Sequence, residues 1–384
     1  MKKVVVFRSN LLPISETFVR EQALALKHWQ PILLGLRKLD KGLPLEPLTC
    51  VLVPHLWDNL IQRWLTKYRL CFYKPIPQLV SVLKDIKPDL VHVHFGTDAV
   101  DIWPSIKAVG LPMLITLHGY DINIHKEWWR AGHGGWRRKY YPQHLLSIAA
   151  EPNVRFIAVS EAIKQRAIAY GIDAKKIDVS YIGVDTKRFS PAGLPIVQRK
   201  KRILFVGRMV EKKAPLLLIQ AFAQVIQSIP DAELVMVGDG PLKQQAEFLA
   251  KELGVIVHFT GALSSDEVLA HIHEARLFCL PSITAENGDA EGLPISIVEA
   301  QACGVPVVTT LHSGNPEGIQ HSSTGFAVPE MDISALANAI KQLLLDEKLL
   351  ATMSQLATVF SRELLPSYHQ SIYLEVLYGK IFDQ

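Results

Sequence analysis

Short apolar runs alternate with amphipathic stretches along nearly the whole chain, the pattern of βαβ units that build parallel sheets. In the first half Val4–Phe7, Ile32–Leu34, Leu90–Phe95, Met113–Leu117 and Val154–Val159 read as strands. A helix is expected over Ser15–Trp29, where Ser15 can cap and Val19, Ala23 and Leu26 share a face. The second half restarts the scheme with strands Ile203–Val206, Leu234–Val237, Val255–Phe259, Leu277–Leu280 and Val305–Thr309. Helices Pro215–Ser228, Pro241–Leu253 and Ser265–Ala275 lie between them. A Pro/Gly-rich stretch, Ser190-Pro191-Ala192-Gly193-Leu194-Pro195, separates the two periodic regions. The pattern predicts an α/β protein of two doubly wound, Rossmann-like domains, over residues 1–190 and 195–366, facing across a cleft. Such sheets take ligands at the carboxyl ends of their strands. The amphipathic stretch Ser367–Phe382 follows Pro366 and, as part of residues 367–384, is expected to pack back onto the first domain.

The composition agrees and narrows the function. The chain of 384 residues is long enough for two buried cores, and 49% hydrophobic with 20% charged residues is a globular balance. The apolar runs are too short to span a bilayer, and the start, Met-Lys-Lys followed by four apolar residues and Arg8, reads as a first strand and not a signal peptide. Cys50, Cys71, Cys279 and Cys303 are scattered without a CxxC pair, which points to reduced thiols in a cytoplasmic protein and to no metal site. A net charge of +4 is too mild for nucleic acid but suits anionic small ligands or an anionic membrane surface.

Three segments carry candidate chemistry. In Glu291-Gly-Leu-Pro-Ile-Ser-Ile-Val-Glu299-Ala-Gln-Ala-Cys-Gly304-Val-Pro306, Pro294 suits a first helical turn, Gly304 a residue past a helix end, and Pro306 prevents continuation. A short helix, roughly Pro294–Cys303, is therefore expected, with Glu291 in the loop ahead of it and Glu299 about a turn and a half inside. The helix start is a natural diphosphate site, and the two carboxylates could hold sugar and ribose hydroxyls. Taken alone, such a pair is equally a dipole-friendly acid and a solvated one. Gly207-Arg208 ends a strand and Lys213 follows five residues later, so two cations meet a glycine at a strand-to-helix loop, a setting for a diphosphate leaving group. His118-Gly119-Tyr120-Asp121 closes a strand of the first domain, where the imidazole could donate to a sugar hydroxyl or carry a proton, or simply pack a loop.

Together these segments resemble the family 4 retaining glycosyltransferases of GT-B fold. Glu291 and Glu299 match the E-x7-E signature of that family, Gly207-Arg208 with Lys213 its diphosphate clamp, and His118-Gly119 its N-domain histidine. Gly183-Val-Asp185, Val237-Gly-Asp-Gly-Pro-Leu242 and Ser313-Gly-Asn-Pro-Glu317 match as well, so the resemblance covers nearly the whole chain. It implies that Arg208 and Lys213 stabilise the departing diphosphate. Glu291, with backbone from Gly292, Leu293, Pro294 and Ile295, would hold the sugar and phosphates. Glu299 would bind the ribose, His118 would touch the sugar, and the base would lie near Gly261–Leu263. The family needs no metal, and no DxD motif is present. Its N-terminal glycine-rich loop is replaced by Leu12-Pro-Ile-Ser15-Glu16-Thr-Phe18, and its glycine after the clamp lysine by Ala214. That N-terminal variant, with His92-Val-His94-Phe-Gly96, looks like the exopolysaccharide and colanic-acid subgroup, and Ser15, Glu16 and Asp121 are the expected acceptor-side residues.

The resemblance thus implies transfer of a hexose from a nucleotide-diphosphate sugar, UDP-glucose by family frequency, to a glycan or polyprenyl-diphosphate-linked acceptor. The alternatives are a non-catalytic sugar-nucleotide-binding protein and a GT-B epimerase. A dinucleotide fingerprint fails, because Gly238-Asp-Gly240 has Lys243 where the third glycine belongs. From His125 to His144, basic residues (Lys126, Arg137, Arg138, Lys139) interleave with Trp128, Trp129, Trp136, Tyr140 and Tyr141. This stretch could rest on the cytoplasmic face of a membrane, grip a lipid-linked acceptor, or pack into the first domain.

Overall fold

A computed structural model of the protein describes residues 1–13, 16–40, 42–364 and 366–382. The chain divides into two units. One comprises Met1–Ile182 together with the helix Ser367–Phe382, and the other Gly183–Pro366.

The first unit is built on a parallel seven-stranded sheet: β1 Lys2–Leu11, β2 Trp29–Lys38, β3 Thr49–Leu52, β4 Leu90–His94, β5 Met113–Leu117, β6 Val154–Ala158 and β7 Ile177–Val179, in the order β3-β2-β1-β4-β5-β6-β7. The strands are continuous apolar runs because both faces of the sheet are covered. Alternate side chains go to opposite faces. Val5, Phe7, Val91, Val93, Ile115 and Leu117 enter one core, and Val4, Leu90, Leu114 and Ile157 enter another. This second core is closed by Leu374, Leu377, Tyr378 and Ile381 of the helix Ser367–Phe382. Those positions repeat at i, i+3, i+4 and i+7, one face of a helix. Polar contacts hold the helix in register: Glu375 Oε1 accepts the N–H groups of Lys27 and His28 at 2.7 Å each, and the Tyr378 hydroxyl bonds His92 Nδ1 at 2.8 Å.

The second unit carries a parallel six-stranded sheet: β8 Arg202–Val206, β9 Glu233–Val237, β10 Val257–Gly261, β11 Leu277–Leu280, β12 Val307–Thr310 and β13 Gly325–Val328, ordered β10-β9-β8-β11-β12-β13. In each sheet the strand order reverses once, between β1 and β4 and between β8 and β11. These reversals are the points where open parallel sheets bind ligands.

Three sequence expectations change. The first helix runs Thr17–Leu24 and stops well before Trp29, whose ring packs on Tyr378 (centroids 5.2 Å apart) as the opening residue of β2. Ser15, its expected cap, lies outside the described residues. The stretch 190–195 is part of the second unit and not a linker. The Arg199 guanidinium donates to the carbonyls of Leu194 (3.0 Å) and Ala192 (3.2 Å), and His273 Nε2 donates to that of Ser190 (3.0 Å). The division therefore falls earlier, between Ile182 and Gly183.

Candidate functional site

In the second unit the loops leaving β8 and β9 are zipped together by backbone. Gly207 N–H donates to Val237 O at 3.0 Å and Met209 N–H to Asp239 O at 2.9 Å. Gly238 has φ 135°, and a Cβ there would collide with the carbonyl oxygen of Gly207, so the close approach requires glycine. Gly238 N–H in turn donates to Gly261 O (2.8 Å), which brings the end of β10 to the same edge. Arg208 projects from this edge, exposed, with no side-chain hydrogen bond or ion pair among the described residues. Lys213 ends a short 3-10 turn, Glu211–Lys213. The following Ala214 has φ 46°, the left-handed conformation that glycine would adopt without strain.

The helix Ile295–Ala302 starts over the same edge, since Ser296 Oγ donates to Val206 O at 3.3 Å. Pro294 is its N-cap and no side chain caps it; Ile297 N–H donates to Pro294 O (3.1 Å), so the N–H groups of Ile295 and Ser296 are those that face a ligand. Pro294 itself has no N–H to give. Gly292, Leu293 and Pro294 are buried against the unit, and Ile295 is partly exposed.

Glu291 is buried beside Lys213, whose Nζ lies 3.0 Å from Oε1, while Lys212 pairs with Asp289 at 3.0 Å. Burial works to raise the Glu291 carboxyl, but Lys213, Lys212 and His312 outweigh it and hold it below the usual range. Its backbone is fixed from the loop after β12. Glu291 N–H donates to His312 Nε2 (3.1 Å), Ser313 Oγ donates to Glu291 O (2.6 Å), and His312 Nδ1 donates to Glu330 (2.8 Å). With Nε2 accepting, the His312 proton sits on Nδ1. His312 and Glu330 have no local sequence signature, and sequence reasoning missed both. Glu299, one turn into the helix and partly buried, makes no side-chain hydrogen bond among the described residues. Desolvation pushes its carboxyl up to about 7, against the pull of Arg188. Gly261 (φ 76°) ends β10 and Leu263 follows it at the same edge.

In the first unit His118 directly follows β5, and its Nε2 lies 3.1 Å from His94 Nδ1. Its ring packs on Phe18 and Phe95 (centroids 4.9 and 4.4 Å apart). Desolvation, with help from Arg8 and His92, holds the His118 imidazole well below its ordinary value. The neutral ring is a hydrogen-bonding group and a weak base. Glu16 is buried in a two-point pair with Arg8 (2.7 and 2.6 Å), which also pairs with Asp98. Asp121 is fully buried, and its carboxylate accepts the N–H groups of Gly96, His118 and Gly119 at 2.9–3.0 Å. It therefore shapes the histidine loop and is spent before any acceptor arrives. This corrects its expected acceptor-side role.

The aromatic-basic stretch splits. Trp129 and Tyr141 are core residues, while Trp136 and Tyr140 are exposed. Arg137 and Arg138 both pair with buried Asp101. Among the described residues no group of three or more His, Cys, Asp or Glu could hold a metal ion, and no helix is long and apolar enough to cross a membrane.

Two family models match consecutive parts of the chain: "Glycosyltransferase Family 4" over residues 41–188 and "Glycosyl transferases group 1" over residues 186–359. The chain is 37% identical over 275 residues to the putative colanic acid biosynthesis glycosyltransferase WcaL of Escherichia coli K12, an alignment covering 70% of this chain and 65% of WcaL. It thus spans just under two thirds of that relative's length. It is 35% identical over 273 residues to the GDP-mannose-dependent alpha-(1-6)-phosphatidylinositol monomannoside mannosyltransferase of Mycobacterium tuberculosis, covering 67% of this chain and 68% of that one. Among solved structures, HepE of Anabaena in complex with UDP is similar with a TM-score of 0.78 at 18% identity, covering 99% of this chain and 100% of that one. The two Rossmann-like parallel-sheet domains expected from the sequence are those observed.

Proposed function

The chain belongs to the family 4 glycosyltransferases of GT-B fold, and from that premise we propose that it transfers a hexose, with retention, from a UDP-hexose such as UDP-glucose. The acceptor in this reading is a glycan or lipid-linked oligosaccharide in exopolysaccharide or envelope polysaccharide biosynthesis. The observation that carries the reading is the ion pair of Lys213 with Glu291, 3.0 Å long, beside Arg208 and under an uncapped helix start at the strand reversal of the second sheet. A donor diphosphate would draw Lys213 away from Glu291 and free the carboxylate to take a sugar hydroxyl.

As the anomeric C–O bond breaks, charge builds on the leaving diphosphate, and Arg208, Lys213 and the helix start absorb it. The site needs no metal in this reading, since those groups supply the positive charge. The acceptor hydroxyl attacks from the leaving-group side, and a phosphate oxygen takes its proton. Glu299 holds the ribose. A second reading, with GDP-mannose as donor, is favoured by the mycobacterial relative's name.

The test is a panel of UDP-glucose, UDP-galactose and GDP-mannose. Free nucleotide diphosphate is measured without acceptor, and the anomeric configuration of product is read by NMR when a prenyl-linked acceptor is supplied. Release from UDP-hexoses with an α-linked product supports the proposal. Release from GDP-mannose alone transfers it to the second reading, and binding without release of any diphosphate overturns both.

A further inference from the structure

The first unit contains a pocket of about 450 Å³ that none of the residues discussed so far explains. Its floor is the carboxyl ends of β1 and β2, and its walls are the start of the helix Gly96–Val109, the last turns of the helix Leu60–Cys71 and the turn Trp136–Arg138. It thus adjoins the strand reversal between β1 and β4, the ligand-binding position of an open parallel sheet.

The charge inside is unbalanced. Arg37, Lys67, Arg137 and Arg138 line the pocket against Asp98 and Asp101 only. Asp98 shares Arg8 with Glu16, and a single oxygen of Asp101 serves both Arg137 (3.1 Å) and Arg138 (3.2 Å). Each guanidinium carries five N–H donors, so these two arginines keep most of theirs while being held in place. The Arg37 guanidinium lies 3.8 Å from the centroid of the Trp57 ring, which covers one face and leaves its N–H edge outward. Lys67 is exposed, with no ion pair among the described residues. A group of two negative charges matches this surplus, and a phosphate or diphosphate matches the bidentate donors.

A line of aromatic side chains starts at the pocket edge. Trp136, next to Arg137, meets Phe72, next to Cys71, at 6.1 Å; Phe72 meets Tyr68 at 4.6 Å and Tyr68 meets Trp64 at 5.5 Å. All four are 40–64% exposed, and the line continues into Ile61 and Leu60, 70% and 81% exposed. Along the helix this ridge is about 18 Å long. Apolar surface of this extent, abutting a cationic pocket, is complementary to one molecule with an anionic head and an apolar tail.

We propose that the pocket holds the phosphate or diphosphate head of a prenyl-type lipid acceptor whose hydrocarbon chain lies along the ridge Trp136–Phe72–Tyr68–Trp64. This deepens the lipid-linked acceptor reading above and rests on it. Arg37, Lys67, Arg137 and Arg138 grip the head, and the aromatic rings take the chain.

The test uses the full chain carrying Arg208→Ala and Lys213→Ala, so that the proposed donor clamp cannot report diphosphate binding. Affinities are measured calorimetrically for farnesyl diphosphate, farnesol and inorganic pyrophosphate. Farnesyl diphosphate is expected to bind at least about tenfold tighter than either fragment, since it engages both charge-assisted hydrogen bonds and apolar contact. Arg37→Ser with Lys67→Ser, both exposed positions, should weaken it about tenfold or more. Trp64→Ser with Trp136→Ser should weaken it while leaving pyrophosphate unchanged. Equal affinity for farnesol and farnesyl diphosphate, or indifference to both double substitutions, overturns the proposal. Salt-sensitive binding to phosphatidylglycerol vesicles without farnesyl diphosphate binding also overturns it, because the surface is then a membrane patch with no head-group site. Nucleotide-sugar hydrolysis by the unsubstituted chain is followed in parallel. Hydrolysis without lipid binding sinks this inference alone, and lipid binding without nucleotide-sugar turnover sinks the glycosyltransferase reading alone.

Discussion

Glu299 offers a test in which the protein's own proton reports the donor. Desolvation pushes its carboxyl up to about 7, so the ligand-free protein near neutrality is a mixture of acid and carboxylate. A carboxylate accepts two ribose hydroxyls, whereas the acid must turn one oxygen into a donor. If only the ionised form binds, about one molecule in eleven is competent at pH 6 and nearly all are at pH 8, so affinity should rise about tenfold across that range. At pH 7 binding should release about half a proton, measurable by calorimetry in buffers of different ionisation enthalpy. Glu299→Gln should bind more weakly but with a flat profile, and comparing the two proteins cancels any titration of the ligand. The same proton acts on stability. A carboxyl raised from 4.5 to about 7 on folding keeps a proton that the unfolded chain has lost, so its contribution becomes unfavourable as pH rises through that window. The melting temperature of Glu299→Gln relative to the unsubstituted protein should therefore climb between pH 4.5 and 7. A wild-type affinity that moves less than about twofold from pH 6 to 8, or a Gln variant that keeps the slope, refutes the ribose assignment.

Arg208→Ala and Lys213→Ala should each lower turnover by about 10²-fold through lost charge stabilisation. They should separate in stability, because exposed Arg208 leaves no orphan whereas Lys213→Ala removes the nearest cation from buried Glu291; melting curves at pH 7 check this, and equal melting temperatures contradict it. Leu374→Ala, in the core shared by the last helix and the first sheet, should cost about 2–5 kcal/mol in urea unfolding, and a loss under about 1 kcal/mol would mean that the helix docks loosely.

Much of the second unit's candidate site was legible in the sequence because local rules write it. Pro294, Gly304 and Pro306 bracket a helix observed at Ile295–Ala302, and the spacing of Glu291 and Glu299 follows from that helix alone. The strands were readable because parallel sheets bury both faces and so leave uninterrupted apolar runs. The edge strand β3 was not read as a strand although Cys50-Val51-Leu52 is apolar; at the sheet edge Thr49, Cys50 and Leu52 are exposed, so the short run is not backed by burial on both faces. The helix Leu60–Cys71 was missed because its large residues lie on the outer face, where an apolar period does not point to a core. Asp121 beside His118 looked like a site residue. Only the tertiary structure shows its carboxylate spent on three backbone donors. The same holds for Trp129 and Trp136, seven positions apart and alike in type, one inside and one out.

The docking of the helix Ser367–Phe382 on the first sheet has a consequence for how the chain is made. Residues of one core are separated by the whole of the second unit, so the ribosome delivers Val4, Leu90, Leu114 and Ile157 long before Leu374, Leu377 and Tyr378. The second unit is continuous and can fold as it emerges. At about 5–20 residues per second, the intervening stretch of roughly 180 residues takes about 10–40 s to synthesise. Through that interval the part of the nascent first sheet lined by Val4, Leu90, Leu114 and Ile157 stays uncovered and open to chaperones or to misassociation until the helix Ser367–Phe382 arrives.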